Sequence, residues 1–158
     1  MQITTYKPAH QTSVIDLILP IQREEFGSSI TLADQPDLLQ IPAVYQRGNG
    51  NFWVAIAADE VVGTVGAIDI GHGHLALRKM FVAAPYRGRA VGQQLMDTLR
   101  QWATARHVAE VYLSTIEAFT RAHRFYEKNG FEQVGAAELP GHFPRMPGDT
   151  IFYRLRLQ

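Results

Sequence analysis

The sequence contains no cysteine. It therefore has no disulfide framework, no thiolate metal site and no cysteine nucleophile. It also lacks charge of one sign, with fifteen Lys plus Arg against fifteen Asp plus Glu. A general nucleic-acid binder or a protein for anionic membranes carries a basic excess, so neither partner is expected. No run of about eighteen apolar residues occurs, and "MQITTYKPAHQ" has no apolar core of the signal-peptide kind. The expectation is a soluble cytoplasmic protein. Internal repeats and low-complexity linkers are missing too. What remains is an ordinary globular balance, 46% hydrophobic and 19% charged over 158 residues, which fits a single domain over 1–158 with a real core.

The elements follow from periodicity and punctuation. Gln2 to Lys7 alternates weakly, as a strand closed by Pro8. From Ala9 to Phe26 the apolar positions Val14, Ile15, Leu17, Ile18 and Ile21 recur at helical spacing, and Pro20 interrupts or bends that helix. "DQPDLLQIPAVYQRGNG" reads as a second helical piece, with Asp34 as cap, Pro36 early and Gly48 at its end. Three strands follow, "NFWVAIAA", "VVGTVGAIDI" and "HLALRKMFVA", joined only by "DE" and "GHG". Connections so short join antiparallel neighbours. A helix from Val91 to Ala105, a strand "EVYLST", a helix from Phe119 to Asn129 and strands at "FEQVG" and "TIFYRLRL" complete an α/β chain with a mixed, largely antiparallel sheet.

The junction "APYRGRAVGQQLM" gathers two arginines and two glycines at the mouth of a helix. A helix N-terminus carries about half a positive elementary charge and unpaired N–H groups, so its natural guest is an anion. The pattern fits a pyrophosphate cradle or an ordinary tight turn with solvated arginines. Gly-Lys-Ser/Thr is missing, which excludes a P-loop. An antiparallel meander upstream is the wrong topology for a dinucleotide fold.

Two motifs in this strand and helix order resemble the GNAT superfamily of acyl-CoA-dependent N-acyltransferases. Arg87-Gly88-Arg89-Ala90-Val91-Gly92 matches that family's Arg/Gln-x-x-Gly-x-Gly/Ala signature, with Ala90 where glycine is usual. "AHRFYEKNGFEQVG" matches its second motif through Tyr126, Gly130 and Phe131. The resemblance covers Phe52 to Gly135. It implies a GNAT-like fold with a splayed central strand pair and helices on both faces, and acetyl-CoA as co-substrate. It places Met80, Phe81 and Val82 along the pantetheine arm, and the diphosphate on the amides of Arg87, Gly88, Arg89, Ala90, Val91, Gly92 and Gln93. Phe125 falls beside the cofactor, and Tyr126 becomes the acid that protonates the departing thiolate; His123, one turn before Tyr126, either lines the cofactor groove or lies on the helix surface. A phenol with pKa near ~10 suits a thiolate near ~8.5–10. Backbone N–H groups near Phe81 and Val82 are the expected oxyanion donors.

The resemblance breaks at the general base. Many members carry glutamate six residues before the strand-ending valine, and that position here is Ala76. Glu25, Asp69 and Glu117 are the alternatives, unless the amine arrives partly neutral. The implied reaction is acetyl transfer to a primary amine of a small molecule, with an idle acyl-CoA-binding regulatory domain as the alternative. A plain interaction module that keeps the fold without cofactor is the third reading. The first helices and the proline-stiffened loop "ELPGHFPRMPGD" would border the acceptor, with Glu25, Phe26, His142, Phe143 and Arg145 facing it. Arg145 would clamp a carboxylate and Glu25 would draw the ammonium, which suits an amino-acid-like or polyamine acceptor. Six histidines are present, but His72 and His74 flank a hairpin glycine without a carboxylate at ligand spacing, so no metal is expected. A homodimer stays open.

Overall fold

The computed structural model describes residues 1–158. Seven strands form one sheet in the order β1-β2-β3-β4-β5-β7-β6. β1 (Gln2–Thr5), β2 (Asn51–Ala57), β3 (Glu60–Gly71) and β4 (His74–Val82) make an antiparallel meander. Its hairpin turns place Ala58-Asp59 and His72-Gly73 at positive φ, the backbone of two-residue turns that match strand twist. β2 alternates its apolar residues between two cores. Phe52 and Val54 face the core of α1 (Gln11–Pro20), while Trp53 and Ala55 face that of α3 (Val91–Ala105). Helices on both faces thus explain why this strand is apolar throughout.

The first helix runs past Pro20 as a π-helical turn, Ile21–Glu25, in which the Phe26 N–H donates to the Ile21 carbonyl. Proline removes a donor from the ladder, and the widened turn carries the chain onward. The expected second helix is broken. It becomes 3₁₀ turns at Leu32–Asp34 and Pro36–Leu39 and a single α turn, α2 (Ile41–Val44), each of the last two with an early proline. Asp34 does not cap it forward. Its carboxylate accepts from Thr31 N–H and Oγ1 behind it.

β5 (Glu110–Thr115) pairs in parallel with β4 only over His74–Ala76 against Glu110–Tyr112. Beyond Ala76 the two strands separate. β4 carries a bulge there: Gly66 pairs with Arg78 but Thr64 with Phe81, so β4 holds one extra residue. Lys79 takes φ 54, and its carbonyl accepts from the buried Thr64 hydroxyl at 2.7 Å. A bulge bends its strand and re-aims the following side chains. α4 (Thr120–Lys128) leads into β6 (Glu132–Val134), and β7 (Ile151–Arg156) lies between β5 and β6. No helix is long and apolar enough to cross a membrane.

Candidate active site at the splayed strands

Between Val82 and α3 the chain makes a 3₁₀ turn, Ala84–Tyr86, and then the Arg-Gly-Arg-Ala turn. Gly88 has φ 74 and Ala90 has φ 64. The usual glycine at position 90 is thus replaced by an alanine that must adopt the left-handed conformation, at a cost of about 1–2 kcal/mol. Ala90→Gly is expected to raise the melting temperature by a few degrees, less whatever the freer unfolded chain takes back. Ala90→Val, with a β-branched side chain at that φ, is expected to lower it. Thermal denaturation of the two variants checks both signs.

This turn leaves donors free. The first intrahelical bond of α3 runs from Gln94 N–H to Ala90 carbonyl, and no side chain caps the helix. The N–H groups of Gly88, Arg89, Ala90, Val91, Gly92 and Gln93 have no acceptor within the protein. Such a row at a helix mouth is an anion-binding concavity. Arg87 donates from Nε to the Val82 carbonyl at 2.9 Å and from Nη1 to Glu25 at 2.5 Å. Arg89 lies over the Tyr86 ring, 5.7 Å from its centroid.

The groove continues along β4. A Cβ built on Gly92 would stand 3.7 Å from Val82 Cγ2 and 3.9 Å from both Met80 Cε and Phe125 Cε1. Four of the expected residues therefore share one wall. The Val82 carbonyl that Arg87 caps faces away from β3, and within an extended residue the N–H points the same way. Val82 thus presents its amide to the gap left by β5.

Tyr126 packs its ring against Phe125, Phe131 and Tyr153, with centroids 5.7–6.0 Å apart. Its hydroxyl makes no hydrogen bond with another protein group, and desolvation pushes its pKa up to about 12. A phenol in that setting keeps its proton until an acceptor arrives. The Gln93 side chain is tied to Asn129 and Asp97, so only its amide is free for a ligand. His123 turns its Nε2 to the Ile116 carbonyl at 2.9 Å.

The five expected acceptor residues do not gather. Glu25 sits on Arg87, and Phe26 lies between Phe81 of β4 and Phe119 at the start of α4. Phe143 is buried with Ala76 and Tyr112, and Arg145 stacks on Phe152. His142 packs on His72 and His74 at the far end of β4, where desolvation, and then repulsion from those two rings, lowers its pKa from the ordinary histidine value. Among the alternative bases, Asp69 is spent on the amides of Asn49 and Gly71, and Glu117 is exposed without a hydrogen bond.

A polar network that the sequence pattern did not single out lies on the α1 face. Gln22 and Gln35 exchange hydrogen bonds at 2.8–2.9 Å, Lys79 reaches Gln35 and lies 3.8 Å from Asp37, and Asp37 accepts from the Tyr45 hydroxyl at 2.6 Å. Burial lowers the Lys79 pKa, and burial together with Asp37 pushes the Tyr45 phenol well up.

The sheet order, the splay and the amide-lined turn can be compared with known proteins. The model of the acetyltransferase (GNAT) family matches residues 15–131. The chain belongs to the GNAT acetyltransferase family. A GNAT-family acetyltransferase from Staphylococcus aureus Mu50 superposes with TM-score 0.95 at 36% identity, covering 99% of both chains. An acetyltransferase from Streptococcus agalactiae superposes with TM-score 0.92 at 32% identity, covering 99% of this chain and 98% of that one. An N-acetylaspartate synthetase of Danio rerio is 32% identical over 139 residues, 85% of this chain. The chain spans 49% of that relative, about half its length.

Proposed function

We propose that this GNAT domain transfers the acetyl group of acetyl-CoA to a primary amine of a small molecule by direct attack, in the cytoplasm. The observation that carries this reading is the row of six unengaged amides at the mouth of α3, continuous with the free edge of β4. Those amides and Arg87 hold the diphosphate, and Met80, Val82, Gly92 and Phe125 line the pantetheine path. The amine nitrogen attacks the thioester carbonyl and forms the C–N bond. The oxygen that becomes negative is met by the Val82 amide, the C–S bond breaks, and Tyr126 gives its proton to the leaving thiolate. The amine loses its proton to solvent, since Ala76 and the placed carboxylates supply no base here. Alignment of the two reactants accounts for much of the acceleration. That a related protein is named for making an N-acetylated amino acid supports a small acceptor.

The missing carboxylate at Ala76 favours a second reading, a domain that binds acyl-CoA without turnover. Both readings require binding. Acetyl-CoA at a hundredfold excess over its Kd is expected to stabilise the fold by about 2.7 kcal/mol. An unchanged melting temperature at millimolar acetyl-CoA rejects both readings. Thiol release over an amine panel separates them, since only the enzyme releases thiol.

A further inference from the structure

Two adjacent cations, Arg78 and Lys79, break the apolar alternation of β4. Regular alternation would send them to opposite faces of the sheet. The bulge at Lys79 sends them to the same one. Met80 and Val82 return to the α3 core, while Phe81 joins the α1 core. Lys79 meets Gln35 and Asp37 from the segments that follow α1, and Arg78 meets Met146 of the proline-rich loop. Both charges therefore stand across the sheet from the wall formed by Met80, Val82 and Gly92. Phe81, at the opening of the strands, lies only two residues beyond Lys79.

Their partners do not balance them. Asp37 is the single carboxylate in the cluster, and it already serves the Lys79 ammonium and the Tyr45 hydroxyl. Arg78 has no carboxylate partner: it meets the Met146 thioether, a weak acceptor, and the Tyr45 phenol. A planar guanidinium with no carboxylate partner, beside a second cation, is complementary to a carboxylate held by two parallel hydrogen bonds. The same pair repels an acceptor that brings only ammonium groups, which disfavours a polyamine.

We propose that Arg78, with Lys79 beside it, binds the carboxylate of the acceptor, so that the substrate class is a small amino acid. This rests on the acetyl-transfer reading above. It moves the carboxylate clamp from Arg145, which is stacked on Phe152, to β4.

The test is thiol release at saturating acetyl-CoA from free amino acids, their carboxamides and their decarboxylated amines. Wild type, Arg78→Gln and Arg78→Lys are compared, with the acetyl-CoA Kd measured for each. Wild type is expected to favour the acids over the carboxamides at least tenfold in kcat/KM. Arg78→Gln is expected to raise KM for the acids by about 10–100-fold, with a smaller change in kcat. Its loss on the carboxamides is expected to be at least tenfold smaller, and Arg78→Lys recovers part of the acid preference. Equal use of acids and carboxamides by wild type overturns the inference alone. So does an Arg78→Gln variant that loses both equally, or one whose acetyl-CoA affinity falls in parallel. No thiol release from any acceptor rejects the acetyl-transfer reading, and the inference falls with it.

Discussion

Tyr126→Phe is expected to lower kcat by about 10²–10⁴-fold while the acetyl-CoA Kd changes less than twofold. Proton donation to a leaving group contributes on that scale, and the ring packing among Phe125, Phe131 and Tyr153 survives loss of an oxygen that bonds no protein group. The pH profile is part of the same prediction. With a pKa raised to about 12 by desolvation, the phenol stays protonated through the assay range. The rate is therefore expected to rise with pH as the acceptor amine becomes neutral, with no fall through pH 10. Stability follows the same sign. The raised pKa favours the folded state below the ordinary tyrosine value near ~10, and that contribution is lost as pH climbs towards 12. Full turnover by the Phe variant, with chemistry shown to limit the rate, would assign the proton to water.

Arg87→Glu is expected to weaken acetyl-CoA binding by about 10–100-fold, the scale of one or two charge-assisted hydrogen bonds replaced by repulsion. Arg89→Glu is expected to cost less, because Arg89 is exposed over Tyr86, whereas Arg87 is braced by the Val82 carbonyl. Glu25 supplies the informative control. It holds Arg87 at 2.5 Å across from the π-helical turn and would compete with a diphosphate for the guanidinium. Glu25→Gln is therefore expected to tighten binding, and raised salt to weaken it in every variant. Calorimetric titration of the three variants gives the order. Weaker binding in Glu25→Gln would mean that the pair orients Arg87 and does not compete for it.

These expectations depend on features that the sequence revealed unevenly. The meander, α3 and the motif turn were legible because hairpins of two residues, a clean helical face and a signature are all local signals. The π-helical turn after Pro20 was half legible: the proline marked a disturbance, but not that the chain would continue and set Glu25 on Arg87 and Phe26 between Phe81 and Phe119. The second helix failed for a definable reason. Pro36 and Pro42 each suit a first helical turn, so together they start two short pieces and let neither grow. Whether Ala90 needs positive φ could not be read from residue types, since the answer lies in the path of the turn.

The expected acceptor side was least legible. "IQREEFG" and "DQPDLL" connect to β4 through Gln22, Gln35 and Asp37, whose network with Lys79 is long-range. A signal was available in "LALRKMFV", where two neighbouring charges inside an apolar strand cannot both point to one face of the sheet without a bulge. His142 and Phe143 were drawn elsewhere, one by a histidine stack and the other by a small core on Ala76 and Tyr112.

The most direct test of the central claim is a product balance. Purified protein is mixed with acetyl-CoA and a small amino acid, and free thiol and acetylated amine are quantified together over time. The account predicts equimolar thiol and N-acetylated product, both lost together in Tyr126→Phe. Thiol released without acetylated amine, or acetyl-CoA bound with neither product formed, would contradict it.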